Sequence, residues 1–245
     1  MNVVAIIQAR MTSTRLPGKV LLKVKGKSLL EYELERIRRS KLIHQIVIAT
    51  TTNSTDDPIV ELALSLGIPY YRGSEEDVLS RYYEAAKAYQ AEVVVRLTSD
   101  CPLIDPAIID QTIQTYLDHA NQFDYVSNTL TRSFPRGMDT EVFSFQSLEI
   151  AYSEATQAYE REHVTPYLYL HPDRFRLGEV VHNGNLSKHR WTVDTPEDFE
   201  LIRRIIEKLY PENPNFTMQE ILHLLDENPE WMEINRHIEQ KKLGE

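Results

Sequence analysis

The 245-residue chain has a single cysteine, Cys101, which excludes an intramolecular disulfide framework and a cysteine-rich zinc site. No apolar run approaches the length of a membrane span, and the N-terminus lacks the charged segment and cleavage site of a signal peptide. The net charge is -10 and the pI is near 5.3, which argues against a nucleic-acid-binding surface. These absences predict a cytoplasmic protein that binds neither nucleic acid nor membrane.

Glycine-rich phosphate-binding loops are also absent. Gly26-Lys27-Ser28 ends like a P-loop, but Leu21 stands where that motif requires its first glycine. No G-x-G-x-x-G motif follows a predicted strand. A phosphate site in this chain must therefore use cationic side chains together with backbone N–H groups.

A basic loop follows the first apolar run of the chain. Residues 3–7 predict a buried parallel strand, and residues 8–19 form a polar loop at its carboxyl end. The loop carries Arg10, Arg15 and Lys19, and the first thirty residues hold six cations and no acidic residue. Open α/β sheets bind ligands at this edge, so the loop predicts an anion site, most simply for a polyphosphate. The alternative is a solvated basic turn.

Short β-rich runs alternate with helical runs over the first 120 residues. This rhythm predicts an α/β fold, with a doubly wound, mostly parallel sheet in a three-layer α/β/α sandwich. The rhythm changes after residue 126. The predicted main domain covers residues 1–210, and a C-terminal helical tail covers residues 211–245. The predicted strands lie near 3–7, 45–49, 68–71, 92–97, 175–181 and 190–193. The predicted helices begin near Ser28 and Asp105 or lie near 55–66, 77–89, 147–155, 160–170, 195–209, 217–226 and 230–241.

Two acidic turns are candidates for a metal site. Asp100 follows the most apolar strand, and Asp105 before Pro106 is the better helix N-cap, which leaves Asp100 available. Asp194 likewise precedes Thr195, which is the expected N-cap of the next helix. Carboxylates from two distant segments can meet at one Mg²⁺, which prefers oxygen ligands shared with substrate phosphates. The alternative for each is local turn chemistry.

The second half of the chain carries weaker candidates. His163 lies beside acidic residues on a predicted helix and could contact a ligand, although a helix histidine is more often simply hydrogen-bonded. Arg136, with Lys188 or Arg190, could meet a substrate carboxylate. Nothing in the sequence adjacent to Cys101 would activate its thiolate, so we interpret this residue as packing.

Four segments together carry a family resemblance. They read RMTSTRLPGKVL at 10–21, RLTSDCPLID at 96–105, REHVTPY at 161–167 and WTVDTPED at 191–198. The chain resembles the CMP-sugar-forming cytidylyltransferases, which include the CMP-Kdo and CMP-sialic acid synthetases. It is especially similar to the spore-coat polysaccharide biosynthesis protein F branch, and the resemblance covers residues 3 to about 206.

The resemblance implies a GT-A-like nucleotidyltransferase fold with a small dimerisation lobe near 128–180. It implies an Mg²⁺-dependent homodimer that joins CTP to a sugar, giving a CMP-sugar and pyrophosphate for surface or spore-coat polysaccharide. The expected sugar is an acid of the nonulosonic type. Relatives carry Pro-Ala-Arg and Gly-Asp-x-Pro where this chain has Gln8-Ala9-Arg10 and Ser99-Asp100-Cys101-Pro102. Both differences keep the charged groups, and the motifs leave the sugar open.

The resemblance also assigns roles to residues. Catalytic roles fall to Arg10, Lys19, Asp100 and Asp194, and the two aspartates are the expected Mg²⁺ ligands. Nucleotide binding falls to Gln8, Ala9, Arg10, Arg15, Lys19, Ser74, Arg81, Ser99 and Asp100. Apart from the resemblance, the weaker candidates of the second half of the chain give the predicted sugar-binding residues, which are Arg136, Asp139, Glu141, Glu162, His163 and Arg190.

Two other functions fit the same pattern less well. A metal-dependent glycosyltransferase that uses a nucleotide sugar would be expected to carry an Asp-x-Asp motif, and Ser99-Asp100-Cys101 is not one. A non-catalytic nucleotide-binding protein would have no need to retain every charged residue of the motifs. A nucleotidyltransferase is therefore the favoured interpretation.

Overall fold

A seven-stranded sheet is the middle layer of the computed structural model, which describes residues 1–240. The strands of this part of the chain are β1 (Val3–Gln8), β2 (Lys23–Val24), β3 (Lys27–Ser28), β4 (Gln45–Thr51), β5 (Tyr70–Gly73), β6 (Val93–Thr98), β7 (Tyr125–Ser127), β8 (Glu141–Ser144) and β9 (Leu177–Glu179). The sheet order is β5-β4-β1-β6-β8-β7-β9, while β2 and β3 form a separate hairpin. Only β8 pairs antiparallel with its neighbours, so the predicted mostly parallel sheet is confirmed.

Helices cover both faces of this sheet. They are α1 (Leu29–Ile37), α2 (Asp57–Ser65), α3 (Val78–Ala88), α4 (Pro106–Asp118), α5 (Phe145–Glu154), α6 (Ala158–His163), α7 (Pro166–Tyr169), α8 (Pro196–Leu209) and α9 (Met218–Glu227). Apolar residues of α1, α2, α4, α8 and α9 form the core on one face, and those of α3, α5 and α7 form the core on the other. The predicted three-layer sandwich is confirmed.

Strand β1 shows why the sheet needs both layers. Val3, Ala5 and Ile7 belong to one core, whereas Val4 and Ile6 belong to the other. Successive side chains of a strand point to opposite faces, so an unbroken apolar run is stable only when both faces are covered. Burying each of the valine and isoleucine side chains contributes about 1.5–3 kcal/mol to the free energy of folding.

The helix starts follow their capping signals. Ser28 accepts a hydrogen bond from the N–H of Glu31, whose carboxylate accepts one from the N–H of Ser28, so the predicted capping box opens α1. Asp105 caps α4 by accepting from the N–H of Ala107 at 2.9 Å. Thr195 caps α8 as predicted, with Pro196 at the first helical position.

Two predicted segments have a different structure. The helix expected at 160–170 is divided into α6 and α7, because Val164 has a φ of 72° and Pro166 cannot continue the hydrogen bonding of α6. The strand expected at 190–193 makes only one parallel bridge, between Arg136 and Arg190. Its N–H groups instead bond to loop carbonyls, with that of Val193 donating to Asp100.

The tail holds one of its two predicted helices. α9 packs Ile221, Leu224 and Leu225 into the same core as β1, so the tail is part of the sandwich. The helix expected at 230–241 is wrong up to residue 240, because Pro229–Glu233 is a 3₁₀ helix and turns follow it. Residue 241 lies outside the described residues.

The topology defines one crevice at the carboxyl edge of the sheet. The chain leaves β1 for β4 and β5 on one side and then places β6 on the other side of β1, which makes this a switch point. β8 enters antiparallel beside β6, so its first residue, Glu141, lies opposite Arg96. Among residues 1–240, no helix is long and apolar enough to cross a membrane. The lobe near 128–180 contributes β8 and β9 to the main sheet, and its role in dimerisation stays a prediction.

Candidate active site

A cavity of about 710 Å³ opens at this crevice. Its β1 half is formed by the loop at 8–19 with residues 98–101 and 192–194, and its β8 half by residues 129–141 and 162–169. The cavity is lined by the predicted site residues Gln8, Ala9, Arg10, Arg15, Lys19, Arg81, Ser99, Asp100, Arg136, Asp139, Glu141, Glu162, His163 and Asp194. Ser74 and Arg190 are not among the lining residues.

Lys19 lies at the centre of the β1 half. Gly18 has a φ of 69°, a left-handed conformation that favours glycine, and it turns the chain into the short 3₁₀ helix that begins at Lys19. The Lys19 ammonium then lies 2.8 Å from Asp194 Oδ1 and 3.0 Å from Asp100 Oδ2. The basic loop and both acidic turns therefore meet in one ion cluster.

The charges in this cluster stabilise one another. Burial alone would lower the pKa of Lys19, but the carboxylates of Asp100 and Asp194 outweigh it and raise that pKa. Burial would raise the pKa of Asp100, yet Lys19 and a hydrogen bond from Thr98 hold that pKa below its usual value. The ammonium and the Asp100 carboxylate thus stay charged across the neutral range.

Asp194 is fixed by two arginines on its other oxygen. Arg15 lies 3.1 Å from Asp194 Oδ2, and Arg190 donates to the same atom at 2.8 Å. Arg190 also donates through Nε and Nη2 to Asp198, which is fully buried at the start of α8. Arg190 was expected in the sugar site, but its guanidinium faces Asp194 and Asp198, behind the cavity wall.

The turn after β6 is packed from below. Burial raises the pKa of the Cys101 thiol well above its usual value, assisted by the Asp100 charge, in keeping with a packing role. The N–H of Cys101 donates to Glu33 of α1 at 3.2 Å. Burial and the nearby charge of Asp100 raise the pKa of Glu33 well above its usual value.

The remaining cations of the basic segment have separate surroundings. Arg10 lies 3.5 Å from Glu75, in the loop that also holds Ser74. Arg81 is buried at the cavity wall and donates to the carbonyl of Ser74 at 2.8 Å. Ser74 therefore contacts a lining residue through its backbone and does not line the cavity itself. The lysines of the β2–β3 hairpin do not line the cavity: these are Lys23, Lys25 and Lys27. Half of the six N-terminal cations therefore face the cavity.

The β8 half contains two ion pairs and one further arginine. Arg96 pairs with Glu141, which also accepts from Thr165 at 2.6 Å. Arg132 makes a bidentate pair with Asp139, both N–O distances being 2.8 Å. No side-chain hydrogen bond of Arg136 is found within residues 1–240, so its guanidinium is the cation of this half that has no carboxylate partner there.

The loop that carries Arg132 and Arg136 is closed at its base. Asn128 donates to the carbonyl of Met138 at 2.6 Å and accepts from the N–H of Thr140 at 2.9 Å. Gly137 has a φ of 99°, and a Cβ at this position would lie 2.7 Å from the backbone of Trp191. These contacts press the loop against the segment that leads to Asp194.

His163 and Glu162 approach the β8 half from the end of α6. Both line the cavity, and burial lowers the pKa of His163, which favours a neutral imidazole. A neutral imidazole can accept or donate a hydrogen bond to a polar ligand.

The sequence is that of a known family across nearly all of its length. The family model described as cytidylyltransferase matches residues 4–229. The chain belongs to the cytidylyltransferase family. The chain is 35% identical to the spore coat polysaccharide biosynthesis protein SpsF of Bacillus subtilis, over 94% of the chain and 96% of SpsF.

Solved structures agree with this assignment. A cytidylyltransferase of Leptospira borgpetersenii superposes with a TM-score of 0.91 at 36% identity, covering 99% of this chain and all of the other chain. A CMP:2-keto-3-deoxy-manno-octonic acid synthetase in complex with CTP superposes with a TM-score of 0.63 at 19% identity. It covers 85% of this chain and 99% of its own and shows the shared fold.

The donor set of the cavity fits a hard cation. Within residues 1–240, no group of three or more histidine, cysteine or acidic side chains could hold a metal ion by itself. Asp100 and Asp194 nevertheless hold one ammonium between their oxygens. Two carboxylates are the usual protein share of a Mg²⁺ site that substrate phosphates complete.

Several residues that line the cavity were not identified from sequence. Arg96 had a detectable signal, because a charged residue inside an apolar strand must find a partner. Arg132 and Thr98 gave no such signal, since their roles depend on loop closure and on the Asp100 rotamer. Gln240 lines the cavity from a tail segment that was expected to be helical.

Proposed function

We propose that the protein is an Mg²⁺-dependent CTP:sugar cytidylyltransferase that forms a CMP-sugar and pyrophosphate. The observation that carries this proposal is the contact of Lys19 with both Asp100 and Asp194, at 3.0 and 2.8 Å, at the carboxyl edge of β1 and β6. A triphosphate at this edge would meet the cations of the basic loop. A cation held by the two carboxylates would link them to the phosphates. Family membership favours nucleotidyl transfer over glycosyl transfer and over simple nucleotide binding.

In the proposed reaction, a hydroxyl oxygen of the sugar bonds to the α-phosphorus of CTP, and the hydroxyl proton passes to water. The bond from that phosphorus to the α,β-bridging oxygen breaks, and pyrophosphate leaves with its electron pair. Arg10, Arg15 and Lys19 bind the β- and γ-phosphates and offset the charge that develops on the leaving group. Asp100 and Asp194 would hold Mg²⁺, which orients the phosphates and neutralises part of their charge.

The ion cluster implies an exchange of partners when nucleotide arrives. Lys19 and Arg15 neutralise the carboxylates in the protein alone. A cation held by Asp100 and Asp194 would supply that positive charge instead, which would leave both side chains available to phosphate oxygens.

The β8 half is the proposed site for the sugar. Arg136 supports an acidic sugar, because its guanidinium faces this half and has no carboxylate partner within residues 1–240. Asp139, Glu141, Glu162 and His163 supply hydrogen-bonding groups around it for hydroxyls. A sugar acid of the nonulosonic type is the substrate class we propose.

A pyrophosphate-release screen of four nucleoside triphosphates against neutral sugars and sugar acids tests this function. We expect release only with CTP and a sugar acid, and only when Mg²⁺ is present. Exchange of labelled pyrophosphate into CTP, dependent on the CMP-sugar product, would separate nucleotidyl transfer from glycosyl transfer. Nucleotide binding without turnover across the whole panel would contradict the proposal. The predicted homodimer is tested separately by light scattering of the purified protein.

A further inference from the structure

The C-terminal tail reaches the network behind Asp194. Asn235 is 4% exposed, and its amide nitrogen donates to Asp198 Oδ1 at 2.8 Å and to the carbonyl of Arg190 at 2.9 Å. Both N–H bonds of this side chain are therefore used within the network. This contact lies beyond residue 229, where the match to the family model ends.

Asp198 is the residue through which Asn235 can act. It receives Arg190 Nε at 2.9 Å and Arg190 Nη2 at 3.1 Å, together with the N–H of Asp194 at 3.0 Å. The Asp198 carboxylate thus sets the plane of the Arg190 guanidinium and the position of the Asp194 backbone. A buried carboxylate with these partners is fixed only while all of its donors stay in place.

Gln240 completes the contacts of Arg190 from the cavity side. Its Oε1 accepts from Arg190 Nη1 at 2.7 Å, and the residue lines the cavity. The Arg190 guanidinium is consequently held by Asp194, Asp198 and Gln240 together. Residues 235–240 therefore form a brace on the far side of the Asp194 carboxylate.

We propose that Asn235 is a positioning residue that fixes the Asp194 carboxylate through Asp198 and Arg190, with Gln240 as a weaker second support. The inference rests on the proposed function, since it concerns the carboxylate assigned to the cation. Hydrogen-bonding groups behind metal ligands commonly change metal affinity by about 10- to 100-fold when they are removed. The tail then serves the active site as well as the core.

The test measures how strongly Mg²⁺ promotes CTP binding. Calorimetry gives the dissociation constant of CTP in EDTA and in MgCl₂ for the full chain, and their ratio reports on the carboxylate pair. Asn235→Ala should reduce this ratio by about tenfold while leaving the constant in EDTA unchanged. Gln240→Ala should reduce it by about threefold, because one neutral acceptor of an exposed side chain is lost.

Asn228→Ala is the matched control. Asn228 donates to the carbonyl of Leu224 at 2.8 Å at the end of α9 and does not line the cavity. It should lower the thermal midpoint and leave the ratio unchanged. Asn235→Asp gives a second discrimination, because it keeps the side-chain volume but places a carboxylate against Asp198. If Asn235 only fills space, the ratio of CTP dissociation constants should be higher for the Asp variant than for the Ala variant. If Asn235 positions Asp194, the ratio should be lower for the Asp variant.

The outcomes separate this inference from the proposed function. If the unaltered protein binds CTP more tightly with Mg²⁺ and folded Asn235→Ala keeps the same ratio, the inference fails alone. A ratio of one in the unaltered protein would overturn the assignment of the carboxylates to the cation and this inference with it. Failure to bind any nucleoside triphosphate would overturn the proposed function itself.

Discussion

The two halves of the cavity differ in how far apart along the chain their paired charged residues lie. In the β1 half, Lys19 reaches Asp194, which is 175 residues away. In the β8 half, Arg132 pairs with Asp139, only 7 residues away. The first arrangement exists only when the whole sandwich has folded, whereas the second is contained in one closed loop. We expect changes in the β1 half to affect catalysis and stability together, and changes in the β8 half to affect substrate choice alone.

Asp194→Asn should have the largest effect. It keeps the shape of the side chain but removes the charge that faces Lys19, Arg15 and Arg190. We expect kcat/KM for pyrophosphate release to fall by about 1000-fold, equivalent to about 4 kcal/mol of transition-state stabilisation. Asp118→Asn, at the exposed end of α4, is the control and should retain full turnover. A loss of less than tenfold would break the link between charge in the β1 half and catalysis.

Lys19→Met should have the next largest effect. The variant keeps the length of the side chain and removes its ammonium, which we assign to the triphosphate. We expect the KM for nucleotide to rise by about 10- to 150-fold, from loss of about 1.5–3 kcal/mol in charge-assisted contacts. Lys23→Met on β2 is the matched control. Unchanged nucleotide kinetics in Lys19→Met would contradict the placement of this residue.

The same lysine should shape the dependence of stability on pH. The pKa of Asp100 is lowered in the folded protein, so its contribution is present above its unfolded value and is lost as the pH falls through the folded pKa. The pKa of Lys19 is raised, so its contribution is present below its unfolded value and is lost as the pH rises through the folded pKa. Thermal midpoints measured from acid to alkaline pH should therefore vary less at both ends in Lys19→Met. An unaltered profile would show that the cluster does not stabilise the fold.

Arg136→Ala should act on the β8 half alone. We expect the KM for the sugar acid to rise by about 10-fold or more as one charge-assisted contact is lost, while the KM for CTP stays the same. Neutral sugars, which we expect to give no pyrophosphate release with the unaltered protein, should give none with the variant. If the KM for CTP rises as much as that for the sugar, the two halves are not separate.

Cys101→Ala should have the smallest effect. Burial and the charge of Asp100 raise the pKa of this thiol, which makes a thiolate unavailable at neutral pH. We expect turnover within about threefold of the unaltered protein and a small loss in thermal midpoint from the missing sulfur atom. Turnover abolished in a folded variant would show that the thiol takes part in the reaction.

The β1 half could be predicted from sequence because each of its groups has a local signal. Arg10, Lys19 and Asp100 follow strands, and Asp194 precedes a helix whose N-cap is supplied by another residue. Their direct contact could not be predicted, because the rotamer of Lys19 depends on packing around Gly18. The sequence predicted that the basic loop and both aspartates lie at the same edge of the sheet, and the structure shows Lys19 in contact with both carboxylates.

The β8 half and the tail were harder to predict for physical reasons. The pair of Arg96 with Glu141 depends on the register of β8, and that strand enters antiparallel after a long loop. The direction of the Arg190 side chain could not be predicted, because it is set by Asp194 and by Asp198 in the first turn of α8. The role of Asn235 was not predicted, because the amphipathic pattern around it favoured a helix. The buried hydrogen bonds of its amide require a turn instead.

Asn128 joins the two ends of the loop at 129–139, because its amide donates to the carbonyl of Met138 and accepts from the N–H of Thr140. Phe134 and Met138 of this loop are buried in the core, and Gly137 lies against the backbone of Trp191. We therefore expect the loop to tolerate sequence variation only at its exposed positions, such as Leu130 and Thr131.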